Sequence, residues 1–218
     1  MKGGDSAIVF FKSTLFKNNF NCNIFRNIFC LFCLPILFYC FLLSISYADQ
    51  RAAVKPGDCF PNISLTNHLC IEDKKYLGLS VQKAHSLSCI RASFILIDCL
   101  SIYCPICQAH ADKFNRLHKL IQEDNFLSSN IKMIGIGLGN NSREVSYFKK
   151  YYNVQFPLIA DPDFKIHKAL NETRTPLLAI IDKRTKPYKI LTILDFTKEP
   201  EILLKDIKTH LLKYKSEN

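Results

Sequence analysis

Ser93-Phe94-Ile95-Leu96-Ile97-Asp98-Cys99-Leu100-Ser101-Ile102-Tyr103-Cys104-Pro105-Ile106-Cys107 is the stretch on which the reading of this chain turns. Its first eight residues are apolar and rich in β-branched side chains, the pattern of a short strand covered on both faces of a sheet. Downstream of them Ile106, Ala109, Phe114, Leu117, Leu120 and Ile121 recur every three or four residues, which predicts one helix starting at or just after Cys104 with Pro105 in its first turn. A Cys-x-x-Cys pair therefore sits where a buried strand passes into a helix. Unpaired backbone N–H groups and the positive end of the helix dipole favour a thiolate there. Cys104 is the predicted nucleophile, and Cys107, one turn further in, is placed to attack a mixed disulfide formed on Cys104.

Outward from this point the elements alternate. Ile131 to Leu138 reads as a second buried strand, and Asn141 with Glu144 as a capping box for a helix through Val145, Phe148 and Tyr152. Phe156 to Ala160 reads as a short strand, followed by a helix over Phe164 to Leu170 capped by Asp163. Leu177 to Ile181 and Tyr188 to Leu194 read as a hairpin joined by Lys183 to Pro187. Pro200 opens a last helix with Ile202, Leu203, Ile207 and Leu211 on one face. Asn62 to Thr66 could add a strand, and residues 67–92 show no clear period. The order calls for an α/β fold: a mixed central sheet with helices on both faces, a three-layer α/β/α sandwich.

The 218 residues, 48% apolar and 22% charged, exclude a disordered or fibrous chain and fit one domain plus an appendage. Lys2, Lys12, Lys17 and Arg26 precede an uncharged run from Asn27 to Ala48 that is apolar all round from Ile28 to Leu43 and ends in Ser46-Tyr47-Ala48. This is an export signal, with cleavage after Ala48 favoured over retention of residues 28–47 as a membrane anchor. Residues 1–48 are thus read as leader, 49–92 as an N-terminal extension, and 93–218 as the core, placed in the periplasm or elsewhere outside the cytoplasm. Four basic and one acidic residues fall before residue 49, leaving 25 Lys and Arg against 18 Asp and Glu, a net +7 spread without basic-aromatic clustering. Nucleic acid is not an expected partner.

Of ten cysteines, Cys59, Cys70, Cys89, Cys99, Cys104 and Cys107 lie beyond the leader, in a compartment that oxidises thiols. Cys99 faces away from Asp98 on a strand and reads as a small buried hydrophobe. A structural disulfide between Cys59 and Cys70 is one expectation, and the connectivity stays open. Beyond the leader no second Cys-x-x-Cys exists to complete a zinc site. His110, three residues past Cys107, leaves copper binding by Cys104, Cys107 and His110 as an alternative, with a surface or packing histidine as the plainer reading.

Ile97 to Cys107 resembles the active-site strand and turn of the thioredoxin superfamily. Thr175-Pro176, six residues before Asp182, resembles its cis-proline loop, and Asp98, six residues before Cys104, its buried carboxylate. Cys107 and Pro176 are 69 positions apart, whereas one helix, strand and helix need only about forty. The surplus, Asn141 to Ala160, resembles the helix-strand insertion of TlpA/ResA-like reductases and of the related redoxin (AhpC/TSA) and peroxiredoxin families. Val154-Gln155-Phe156-Pro157-Leu158-Ile159-Ala160-Asp161 is similar to their Val-x-Phe-Pro-x-x-x-Asp segment. Tyr103 departs from the usual Trp, Pro105 stands in the first intervening position, and His110 replaces a Glu.

The resemblance implies a thioredoxin-like fold and an exported protein disulfide oxidoreductase that needs no cofactor. Cys104 and Cys107 would be the redox pair, Asp98 the general base for Cys107, Pro176 the cis proline, and Thr175, Tyr103, Pro105 and Ile106 the substrate contacts. It implies protein thiol or disulfide substrates, an unidentified membrane or periplasmic electron donor, and reduction favoured over oxidation, with apocytochrome c among the relatives' substrates. A thiol peroxidase using Cys104 is the alternative of the same fold; Ser101 fits it, while Ile97 and Pro176 stand where peroxiredoxins carry Pro and Arg.

Overall fold

A computed structural model describes residues 53–65, 69–80 and 85–216. The leader and its cleavage site fall outside them, as does Thr66. No helix among the described residues is long and apolar enough to cross a membrane.

The chain runs β1 (Cys59–Phe60), α1 (Ile71–Leu77), a 3-10 turn (Leu87–Cys89), β2 (Phe94–Leu100), α2 (Pro105–Ala109), α3 (Ala111–Glu123), α4 (Asn125–Asn130) and β3 (Ile131–Leu138). It continues through α5 (Ser142–Tyr151), β4 (Leu158–Asp161), α6 (Lys165–Ala169), β5 (Leu177–Asp182), β6 (Tyr188–Leu194) and α7 (Pro200–Ser216). The six strands form one mixed sheet in the order β1-β6-β5-β2-β3-β4. β2 and β3 pair in parallel, as do β3 and β4, whereas β5 runs antiparallel to both β2 and β6. The α/β fold with a mixed central sheet, expected from the alternation of elements, is the fold observed.

Every residue of β2 is buried because the strand is central and covered on both faces. Its side chains alternate between two cores. Ile95, Ile97 and Cys99 pack with Ile134, Ile136, Ile166 and Leu170 on one face. Phe94, Leu96 and Leu100 pack with Cys107, Phe114, Phe148 and Leu203 on the other. Asp98 lies between Leu96 and Leu100 in this alternation, on the face that carries Cys107.

Several sequence expectations need correction. The helix after Cys104 is two pieces, α2 and α3, meeting at His110 (φ −94°, ψ −2°), although hydrogen bonding continues through His110 N–H to Ile106 O and Phe114 N–H to His110 O. Among the described residues Asn62 to Leu65 form no strand; Ser64 pairs with Ser86 in an isolated antiparallel bridge. Residues 67–92, which show no clear period, contain α1, whose Tyr76 hydroxyl accepts the Met133 N–H beyond the reach of β4 at 2.8 Å. β4 starts at Leu158 rather than Phe156, since Pro157 has no N–H to donate and contributes only its carbonyl, to Gly135 N–H.

α6 is capped by Asp161, not Asp163: the Asp161 carboxylate takes the N–H groups of Ile166 and His167, while Asp163 pairs with Lys165. On α7, Leu203, Ile207 and Leu211 are fully buried at four-residue spacing, and Ile202, about 100° round the helix, is 49% exposed. Cys59 and Cys70 are free thiols: Cys59 accepts from Lys189 Nζ, and the Cys70 sulfur caps α1 by accepting Asp73 N–H. No disulfide joins them in this structure.

Candidate active site

β2 ends at Leu100, and four residues later the chain has turned into α2. Cys104 is the N-cap of α2 with extended backbone (φ −85°, ψ 112°), and Pro105 occupies the first turn, where a missing N–H costs nothing. As N-cap, Cys104 Sγ accepts the Cys107 N–H at 3.3 Å. Both cysteines are free thiols.

The two sulfurs differ in environment. Partial burial opposes ionisation of Cys104, but hydrogen bonds from the Cys107 thiol, the Cys107 N–H, Thr175 and the Ile106 N–H together outweigh it and lower its pKa. Cys107 is 4% exposed, and burial, reinforced by the hydrogen bond it gives Cys104, pushes it up to about 12. One cysteine is prepared to be a thiolate, and the other to keep its proton until something removes it.

Behind them Asp98 is 2% exposed, and desolvation alone raises its carboxyl to about 8. Among the described residues its Oδ1 has no hydrogen-bond partner. Its charge adds to the elevation of the Cys107 pKa, so the carboxylate and the inner thiol feel each other directly. Cys99, on the opposite face, is also raised by burial and is walled off from the dithiol by the strand itself.

The rim holds the other residues singled out in the sequence. Tyr103, Pro105 and Ile106 are exposed. The Thr175–Pro176 peptide is cis, Pro176 is buried, and the Thr175 carbonyl lies 3.7 Å from Cys104 Sγ. His110 donates its Nδ1–H to the Ile106 carbonyl at 2.9 Å, and its ring meets Phe196 edge-on at 5.5 Å. Among the described residues no group of three or more His, Cys, Asp or Glu is arranged to hold a metal, so Cys104, Cys107 and His110 do not make the copper site considered above.

Three residues that sequence reasoning missed hold the turn before Cys104. Asn140 Oδ1 accepts the Ile102 N–H at 2.9 Å, and Gln108 Nε2 donates to the Ile102 carbonyl at 2.7 Å, so both backbone groups of Ile102 are fixed. Glu144, already the capping-box residue of α5, accepts the Tyr103 hydroxyl. Gly139 makes this approach possible. Its φ is +70°, and a Cβ there would fall 2.3 Å from the Phe164 ring. Asn140 and Glu144 lie 38 and 41 positions from their partners, and only the capping-box pattern marked Glu144 at all.

A model of the AhpC/TSA family matches residues 56–190. Among curated proteins, the thiol-disulfide oxidoreductase ResA of Geobacillus thermodenitrificans (strain NG80-2) is 22% identical over 166 residues, which are 76% of this chain and 82% of that protein. Two similar solved structures are a putative protein disulfide isomerase from Bacteroides thetaiotaomicron and a putative thiol:disulfide interchange protein DsbE from Chlorobium tepidum. The first has a TM-score of 0.53 and 21% identity, covering 73% of this chain and 94% of that one. The second has 0.51 and 15%, covering 73% and 99%. At these identities the structural likeness establishes the thioredoxin-like fold.

Proposed function

The chain belongs to the AhpC/TSA family, and on that premise we propose that it is a thiol–disulfide oxidoreductase of the ResA type, reducing disulfides in protein substrates outside the cytoplasm. The observation that carries this reading is the unequal pair: Cys104, accepting hydrogen bonds and lowered in pKa, beside Cys107, buried and pushed up to about 12.

The reaction follows from that inequality. The Cys104 thiolate attacks one sulfur of a substrate disulfide; a Cys104–substrate bond forms, the substrate S–S bond breaks, and one substrate sulfur leaves as thiolate. Cys107 then gives its proton to Asp98 and attacks Cys104 Sγ. The mixed disulfide breaks, the second substrate sulfur leaves, and a Cys104–Cys107 disulfide remains. Two electrons have passed to the substrate, and an external thiol donor must return them. Thr175, next to cis Pro176, offers its carbonyl beside Cys104 for main-chain pairing with an extended substrate, and Tyr103, Pro105 and Ile106 form the exposed rim it crosses.

The apolar run from Ile28 to Leu43, flanked by basic residues before and Ser46-Tyr47-Ala48 after, supports export of this domain. Recovery from a Gram-negative host's periplasm of a chain beginning at Asp49 is the expected result, and an intact N-terminus in the membrane fraction is the outcome for an anchor. Apocytochrome c is the substrate class attached to the TlpA/ResA resemblance.

The test is kinetic. Cys107→Ala should accumulate a covalent Cys104–substrate disulfide visible by mass spectrometry, and Cys104→Ala should abolish exchange; turnover persisting in the Cys104 variant overturns the proposal. A dithiol potential near that of thioredoxin, about −270 mV, fits a reductant, and one near −120 mV an oxidant.

A further inference from the structure

α5 leaves the dithiol at its N-terminus and carries an exposed aromatic ridge away from it. Glu144, in its first turn, holds the Tyr103 hydroxyl. Tyr147 and Tyr151 follow at three and seven residues from Glu144, within about 60° of one another round the helix. Tyr103, Tyr147 and Tyr151 are 69%, 64% and 66% exposed. The Tyr147 and Tyr151 rings are stacked at 5.7 Å, and Tyr152 meets Tyr151 edge-on at 4.8 Å. α5 turns its other side inward, burying Val145 and Phe148, so the core does not call for these tyrosines. Three large aromatic faces left in water side by side, one of them adjoining the nucleophile, mark an interaction surface.

Two cations flank the ridge, against one carboxylate, Glu144, at its start. Arg143 and Lys150 are exposed on α5 next to Tyr147, about 40–60° further round the helix. The acidic residue on that face, Glu144, is occupied by Tyr103 and by the Asn141 N–H.

We propose that the Tyr103–Tyr147–Tyr151 ridge of α5, flanked by Arg143 and Lys150, docks an extended, acidic segment of the protein substrate that carries apolar side chains near its reacting cysteine. The inference rests on the oxidoreductase reading and adds to it a substrate chemistry. Seven helical rises from Glu144 to Tyr151 span about 10 Å. An extended chain covers that with about three residues. Tyrosine rings take the apolar side chains with little loss of side-chain freedom, and the two cations select carboxylates.

Two peptides of equal length test this, each with a central cysteine held as the mixed disulfide with 2-nitro-5-thiobenzoate. One flanks the cysteine with Leu, Tyr, Asp and Glu, the other with Ser, Gly and Lys. The Cys104 thiolate of the reduced protein displaces the coloured thiobenzoate thiolate, and the free small disulfide 5,5′-dithiobis(2-nitrobenzoate) serves as control. The unmodified protein should prefer the acidic-apolar peptide by about tenfold in kcat/KM, the size of one good interface contact. Tyr147→Ser with Tyr151→Ser should erase most of that preference, and Arg143→Glu with Lys150→Glu should reverse its charge component, both with unchanged rates on the small disulfide.

Equal rates on both peptides, or a preference that survives both pairs of substitutions, overturns the docking surface alone. An unmodified protein inert toward the small disulfide overturns the oxidoreductase reading instead. A concentration-dependent dimer abolished by the tyrosine substitutions overturns the proposal in favour of self-association.

Discussion

Cys104 and Cys89 stand at opposite ends of β2, and both are accessible thiols with lowered pKa values. Cys89, just before the strand, is brought to about 7 by hydrogen bonds from the Ser86 backbone and the His85 side chain, with Ser88 adding less. Nearby Lys183 spans the Ser88 and Ile90 carbonyls at 3.0 and 2.7 Å. Cys104, just after the strand, has what Cys89 lacks: a second thiol one helical turn away, a buried carboxylate behind that thiol, and a cis-proline loop across from it. The difference teaches that acidity makes a sulfur reactive, whereas turnover needs a partner that attacks in its place and a group that takes the partner's proton.

The sharpest way to break this comparison is to exchange the roles. Cys104→Ala should cost more than about a thousandfold in disulfide exchange, while Cys89→Ala should stay within about twofold. Brief alkylation at pH 7.5, read by peptide mapping, should nonetheless label Cys89 and Cys104 together and spare Cys107 and Cys99. A Cys89 variant that loses turnover would show that the far corner takes part.

Removing the proton acceptor should have the next largest effect. Resolution of the mixed disulfide in the unmodified protein should rise from pH 7 and level off as Asp98 ionises near 8. In Asp98→Asn it should be about tenfold slower at pH 7 and keep rising above pH 9, since hydroxide alone then ionises Cys107. The rate of Cys104 attack should change little, and equal slowing of both steps would remove Asp98 from the mechanism.

The same residue sets a stability profile. Its pKa is raised from 3.8 to about 8, so the folded state binds the extra proton between those values. The stability this proton confers is complete below about pH 4 and lost as pH rises through about 8. Asp98→Asn should therefore flatten the decline in denaturation midpoint toward pH 9, a difference of several kcal/mol at the alkaline end. Parallel declines in the two proteins would mean that Asp98 is not desolvated.

Smaller still is the effect expected at the turn. Asn140→Ala leaves the Ile102 N–H without its acceptor and should cost about 1–3 kcal/mol in chemical denaturation. The pKa of Cys104, followed by thiolate absorbance, should move less than in Thr175 variants, because Asn140 touches the loop and not the sulfur.

How far the sequence reaches can be judged from these residues. The alternation in Phe94 to Leu100 places Asp98 on one face and Cys99 on the other, and Cys99 packs in the core opposite the one that holds Leu96, Leu100 and Cys107. Periodicity and capping rules located β3, α5 and the hairpin within one or two residues. They failed where the signal is not periodic: α1 has only seven residues, and the Asp161 cap acts from inside a strand. Asn140 and Gln108 carry no local pattern, because the group they satisfy belongs to a loop that only folding brings beside them.

The local sequence by itself determined a strand, a turn and two cysteines one helical turn apart, since each depends on neighbours within about ten residues. Tertiary structure decided how far the two sulfurs are driven apart, because the burial of Cys107, the Thr175 loop beside Cys104 and the desolvation of Asp98 come from segments far apart in the chain. Electrostatic energies follow distance and solvent exclusion in space, and a linear order of residues contains neither.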